Sequence, residues 1–286
     1  MKIAITGATG QLGELIIQAL LTHIPADNIV ALVRNKTKAL KLKQQNIELR
    51  HFDYDSPETL APALIGIDKL LLISANEIGR RTAQHQAVIE AAKNAKVPYI
   101  AYTSLLRANT SPLGLAQEHR ETEALIQASG LTYTFLRNNW YSENYIAGVV
   151  QNVASGQLFS AAKDGKISSA SRTDYAEAAA IVLASTNHDN KTYELAGSEN
   201  FTKLDLAKFI EKASGKKVSR IELSASDLTH GLQQAGLPKT LISVIVDADL
   251  QTVEGAMYSE SKDLEQLIGR KTISVQSQIE ALFTVD

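Results

Sequence analysis

Ile3-Ala4-Ile5-Thr6-Gly7-Ala8-Thr9-Gly10-Gln11-Leu12-Gly13 is the stretch whose reading decides the fold. Ile3 to Thr6 reads as a short strand. Leu12 begins apolar residues at helical spacing, so the glycines occupy a strand-to-helix turn. Gly7 permits the tight turn, Gly10 lets the backbone approach a pyrophosphate, and Gly13 lets the helix pack close to the strand. The free N–H groups at the helix start then face an anion. The spacing is Gly-x-x-Gly-x-x-Gly, not the commoner Gly-x-Gly-x-x-Gly. What gives the triplet weight is its place, directly after a strand and before a helix.

Working outward, strand patterns lie at 2–6, 29–34, 47–53, 69–74, 99–104 and 132–137. Helical patterns fill the gaps at 12–23, 37–44, 57–64, 80–95 and 115–129. Leu70-Leu71-Leu72-Ile73 is continuously apolar, as a parallel strand covered on both faces must be. Strand and helix alternating at about 25-residue spacing imply right-handed crossovers. The expected class is α/β: a Rossmann-like, doubly wound parallel sheet with a smaller C-terminal α/β lobe. The first lobe is expected over 1–138 plus about 173–197, and the second over about 139–172 and 198–286. A helix at 173–184, with Thr173 as its N-cap, and a strand at 192–196 return to the sheet. One further strand is expected at 218–223. The crevice at the carboxyl ends of the strands, between the lobes, is the expected ligand site.

Composition narrows the functions. The 286 residues are 44% hydrophobic and 21% charged with a net charge of −2, ordinary for a soluble globular protein and without the basic field that attracts nucleic acid. No cysteine is present, which excludes disulfides, thiol catalysis and cysteine-ligated zinc, and no metal site is expected. Met1-Lys2 runs straight into a strand, and no apolar run reaches the roughly 18 residues of a membrane span. A cytoplasmic protein without membrane or nucleic-acid partners is expected. Nothing in the pattern decides the oligomeric state, and a homodimer is compatible with it.

The second strand's end selects the dinucleotide. An acidic residue there would accept from a ribose 2′-OH, but the chain reads Val33-Arg34-Asn35. The guanidinium of Arg34 can pair with a 2′-phosphate, so NADPH is the expected cofactor. Lys36 and Lys38 add positive charge; with Lys41 and Lys43 they read as a solvated helix face. Asp53 and Tyr54 end the third strand, where side chains flank an adenine, although Asp53 is equally suited to a turn at Asp55-Ser56-Pro57. Ser74, Ala75 and Asn76 end the fourth strand, beside the expected nicotinamide ribose.

With these residues in place, the chain resembles the NmrA-like atypical short-chain dehydrogenases. The resemblance rests on Gly-Ala-Thr-Gly-Gln-Leu-Gly, Val-Arg-Asn, Leu-Leu-Leu-Ile-Ser, Tyr-Thr-Ser-Leu-Leu, Ser-Pro-Leu-Gly-Leu-Ala and Leu-Arg-Asn-Asn-Trp-Tyr-Ser-Glu-Asn-Tyr, in that order. More narrowly it is similar to the bacterial NAD(P)H:quinone oxidoreductase type 2 subgroup. That resemblance implies two-electron reduction of a quinone, the small-molecule substrate. It also implies cofactor contacts at Gly7, Ala8, Thr9, Gly10, Gln11, Leu12, Arg34, Ser74, Ala75, Asn76, Asn138, Asn139, Trp140, Tyr141, Ser142 and Glu143.

One departure from short-chain dehydrogenases in general bears on the chemistry. Their Tyr-x-x-x-Lys pair moves a proton on the helix after the fifth strand. Here Leu115 stands where the Tyr is expected and His119 where the Lys is, which argues against alcohol chemistry. A quinone accepts hydride without such an acid, since the phenolate formed belongs to an aromatic ring. Tyr141, Asn138, Ser104 and His119 are the candidates for orienting its oxygen. His119 also reads as a surface helix histidine, and Trp140 and Tyr141 as ordinary packing or as an aromatic wall for a flat substrate. The alternative function is a non-catalytic NADP(H)-sensing regulator. An isoflavone-reductase-like enzyme would want Lys at position 119.

Overall fold

In the computed structural model, which describes residues 1–284, the strands are β1 (Ile3–Ile5), β2 (Ile29–Val33), β3 (Glu48–His51), β4 (Lys69–Leu72), β5 (Tyr99–Leu105), β6 (Thr132–Asn138), β7 (Gln157–Ser160), β8 (Lys191–Leu195) and β9 (Ser219–Glu222). The first helices are α1 (Gln11–Leu20), α2 (Leu40–Gln44), α3 (Leu60–Ala63), α4 (Arg81–Asn94) and α5 (Ala116–Ser129). After β6 come α6 (Glu143–Ile146), α7 (Val149–Ser155), α8 (Arg172–Ala184) and α9 (Lys203–Ser214). The chain ends with α10 (Ala225–Gln234), α11 (Lys239–Val253), α12 (Asp263–Ile268) and α13 (Val275–Phe283).

The chain divides into two compact units, Met1–Asn109 with Gln117–Asn138 and Arg172–Glu194, and Thr110–Ala116 with Asn139–Ser171 and Leu195–Asp286. In the first unit the sheet order is β3-β2-β1-β4-β5-β6-β8. The pairings of β1 with β2 and β4, of β2 with β3, and of β5 with β4 and β6 are all parallel. The strand order reverses between β1 and β4, and an open α/β sheet binds its ligand outside the carboxyl ends of its strands at such a switch point. The glycine loop ends β1 there, and Ser74, Ala75 and Asn76 follow β4.

Burial explains the unbroken apolar runs. All of Ile29–Val33 and Tyr99–Leu105 are buried, as are Leu70, Leu71 and Leu72. Each Val, Leu or Ile side chain among them contributes about 1.5–3 kcal/mol by leaving water. One core joins Ala4, Val30, Leu70, Leu72 and Ile100 to Val88, Ile89 and Ala92 of α4 and Ile126 of α5. Elsewhere α1 packs on α8, where Ala176, Ala178, Ala179 and Ala180 are all buried; their small side chains permit close approach.

In the second unit β7 and β9 pair in parallel. Beneath them Asp249 accepts from Ser160 Oγ at 3.1 Å and from the Ala161 N–H at 2.9 Å, and pairs with Lys203 at 3.1 Å. A capping box between Thr202 and Asp205 starts α9.

The sequence reading differs in three places. The strand β7 was not expected; with four residues, of which only Leu158 and Ser160 are buried, it offers too short an alternation to read. Thr173 is not a cap, because α8 already starts at Arg172 and Ser171 precedes it. The helix expected at 57–64 is a 3₁₀ turn (Pro57–Thr59) followed by one α turn.

Gly7 has φ +58°. A Cβ on Gly13 would lie 2.9 Å from Ala8 Cα and closer still to the Gly7 carbonyl oxygen. Overpacking of this kind costs about 1–3 kcal/mol. At about 2–4 °C per kcal/mol, Gly13→Ala should lower the melting temperature by roughly 2–12 °C in scanning calorimetry. An unchanged melting temperature would refute the close packing.

Candidate cofactor site

The glycine loop has the form an anion needs. Gly7, Thr9, Gly10 and Gln11 are exposed while Ala8 and Leu12 are buried anchors. The Gly10 N–H donates to Gly7 O at 2.9 Å, which folds the loop back on itself. No side chain caps α1 at Gly10, so the leading N–H groups of the helix are left for an external acceptor.

At the end of β2, Arg34 is exposed and forms no ion pair among the described residues. The side chain of Asn35 accepts from the Thr37 N–H at 2.9 Å and shapes the turn, with Lys36 and Lys38 exposed beside it. Lys41 and Lys43 are exposed too, the solvated face the sequence suggested. Asp53 takes the turn role: its Oδ1 accepts from the Asp55 N–H at 3.1 Å.

Beyond β4 the backbone leaves the ladder, and each freed N–H is taken by a side chain. Ile73 donates to Thr6 Oγ1 at 2.9 Å, Ser74 to Thr103 Oγ1 at 2.8 Å and Ala75 to His85 Nε2 at 3.0 Å. The Ala75 carbonyl accepts from Arg81 Nε at 2.7 Å. Arg81 also reaches His119 Nε2 at 3.4 Å and Glu118 at 3.6 Å, and Glu118 accepts from the Gly79 N–H at 3.0 Å.

These bonds fix both imidazole tautomers. His85 Nε2 accepts from Ala75, so its proton is on Nδ1 and goes to Thr122 Oγ1 at 2.9 Å; that hydroxyl in turn donates to the Glu118 carbonyl at 2.8 Å. A guanidinium only donates, so His119 Nε2 accepts and Nδ1–H donates to the Tyr102 hydroxyl at 2.8 Å. Both rings are buried and neutral. Burial, then the charge of Arg81, pulls His85 down to about 3. The same two causes, then His85, hold His119 well below its ordinary value.

This corrects two of the expectations. His119 is not a surface helix histidine but 6% exposed, with both ring nitrogens engaged, so it has no free proton to offer a substrate. Ser104 donates to Glu123 Oε1 at 2.6 Å, and Glu123 is held by Arg137 at 2.9 and 2.7 Å; its hydroxyl proton is committed too.

Asn138 differs. It ends β6, is 6% exposed, and its Oδ1 has no hydrogen-bond partner. A buried amide oxygen left unpaired costs about 1–3 kcal/mol, so it is suited to receive a ligand N–H.

In the second unit, Asn139 is a brace: its Nδ2 donates to Ser168 O at 2.8 Å and Met257 O at 2.9 Å, and its Oδ1 accepts from Trp140 N at 2.8 Å. That leaves little of its side chain for a cofactor. Tyr141 bridges Ala170, and Ser142 donates to Ala170 O and meets Ser169 Oγ at 3.0 Å. Trp140 and Glu143 are half-buried.

Arg81, Gln84 and His85 escaped the sequence reading. The available signal was a stripe on α4 in which 81, 84, 85, 88 and 92 share the buried face, polar at its start and apolar after.

The geometry defines a dinucleotide-binding protein, and comparison with known proteins agrees. Residues 7–186 match the NAD(P)H-binding family, and the chain belongs to it. Quinone oxidoreductase 2 of Escherichia coli K12 is 49% identical, with 99% of each chain covered. The crystal structure of the NADPH-dependent quinone oxidoreductase of Escherichia coli in complex with NADPH superposes with a TM-score of 0.97 at 48% identity, covering 99% of this chain and 100% of that one. Triphenylmethane reductase of Citrobacter sp. superposes at 0.96 with 37% identity, covering 100% of both chains.

The two neutral histidines carry a stability signature. The unfolded chain binds protons on them below about pH 6.5, while the native state does not until near 3 for His85. Stability is therefore full above about pH 6.5 and is lost as the pH falls below it. His85→Gln should flatten the fall of melting temperature between pH 6.5 and 4; an unchanged slope in that variant would remove His85 from this account.

Proposed function

We propose that this protein reduces quinones by two electrons with NADPH as hydride donor. The observation that carries the reading is an intact dinucleotide site in a chain without the usual acid–base pair: Leu115 is in place of the Tyr, and His119 is buried with both nitrogens engaged. Full-length identity of 49% with a quinone oxidoreductase supports it.

The residues fit the cofactor. The uncapped start of α1 and the glycine loop would hold the pyrophosphate. The unpaired guanidinium of Arg34 suits a 2′-phosphate, and the orphaned Asn138 Oδ1 suits an amide N–H. When bound, NADPH supplies a hydride from nicotinamide C4. What the protein adds is placement and exclusion of water rather than an acid. A quinone suits such a site because the charge it gains is spread over the aromatic ring it becomes. Of the orienting candidates, His119 and Ser104 leave the reading because their protons are committed elsewhere, and Asn138 carries it. Among the described residues no helix is long and apolar enough to cross a membrane, and no group of side chains is arranged to hold a metal. A cytoplasmic location, without nucleic-acid partners, belongs to the same reading.

Mixing protein, NADPH and a small benzoquinone should make the 340 nm absorbance of NADPH fall. NADPH binding without oxidation by any of a panel of quinones would favour the sensor instead. Arg34→Asp should weaken NADPH by about 10–100-fold, from a lost charged hydrogen bond plus repulsion, and leave NADH nearly unchanged. Equal losses for both nucleotides, measured by titration, would sink the 2′-phosphate role.

A further inference from the structure

We propose that Arg81 and His85 are positioning residues that hold the nicotinamide half of the cofactor site in its binding shape, acting through the backbone of Ala75. The inference rests on the reading of NADPH as cofactor and assigns residues that no part of that reading requires.

The Ala75 backbone lies past β4, at the switch point where an open α/β sheet meets its ligand. Its two polar groups are both captured from α4, the N–H by His85 Nε2 at 3.0 Å and the C=O by Arg81 Nε at 2.7 Å. One helical turn separates the two side chains, so a single helix end grips the two consecutive peptide groups that flank the Ala75 Cα. With Ile73 and Ser74 held by Thr6 and Thr103, the segment has no backbone donor left to rearrange before Asn76. Asn76 is exposed, and its surface is preset.

The grip is itself anchored in α5. His85 donates to Thr122, and Arg81 reaches His119 and Glu118. Glu118 also takes the Gly79 N–H, which ties the far end of the same loop. The helix that carries proton-transfer groups in short-chain dehydrogenases here carries supports for the β4 loop. A surface fixed before binding spares the ligand the cost of ordering it.

Two ligands separate this role from a general loss of structure. NADPH reaches both halves of the site, whereas adenosine 2′,5′-bisphosphate lacks the nicotinamide and its ribose. Binding of each to the full chain is measured by titration calorimetry. His85→Phe keeps a ring but removes the acceptor, leaving the part-buried Ala75 N–H without its partner. It should weaken NADPH about tenfold or more and leave adenosine 2′,5′-bisphosphate within about twofold. His85→Gln places an amide oxygen within reach of the same N–H and should restore most of the affinity. If His85→Phe does not fold, Arg81→Lys, which keeps the charge but lacks the Nε donor, gives the same comparison. Equal weakening of both ligands, no weakening of NADPH, or failure of glutamine to rescue would overturn the proposal. The comparison needs no turnover, so a failure of quinone reduction overturns only the activity proposed above.

Discussion

The contact between Gly13 and the Gly7–Ala8 backbone is the constraint on which the first unit depends. It brings the start of α1 against the end of β1, with no room for a Cβ between them. That approach leaves the first turn of α1 uncapped above the glycine loop, ready for phosphate. The same helix α1 packs on α8, where a run of alanines accommodates it. A single missing methyl group thus links the apolar packing of the sheet to its capacity to bind an anion.

Around the switch point, polar chemistry serves geometry rather than proton transfer. Thr6, Thr103 and His85 each take one N–H past β4, and Arg81 takes the Ala75 carbonyl. His119 and Ser104, at positions suggestive of catalysis, instead support Arg81, Tyr102 and Glu123. A site stripped of its acid can act on a substrate that already accepts electrons readily, which is why quinone chemistry agrees with this arrangement. The orphaned oxygen of Asn138 stands apart from that closed network.

What could be read from the sequence was whatever local pattern determines. Leu70-Leu71-Leu72 announced a strand buried on both faces, and Ile3 to Gly13 announced the turn and the helix after it. Arg34 could be singled out because the end of the second strand is where such a sheet reads the ribose of a dinucleotide. The burial of His119 was not legible, since its neighbours Glu118, Arg120 and Glu121 give the helix a solvated look. Its ring turns inward only because Tyr102 and Arg81, distant in sequence, offer partners. The same holds for Asn139, whose carbonyl partners at Ser168 and Met257 lie far along the chain. Local pattern fixes which residues form elements; it does not tell which polar side chain finds a buried partner.

Trp140 is the sole tryptophan of the chain, half-buried directly after the braced Asn139. Indole emission excited at its red edge therefore comes from one point in the second unit, without any label. Its wavelength and quenching report the local surroundings of the segment that carries Tyr141 and Ser142, apart from the emission of the chain's nine tyrosines.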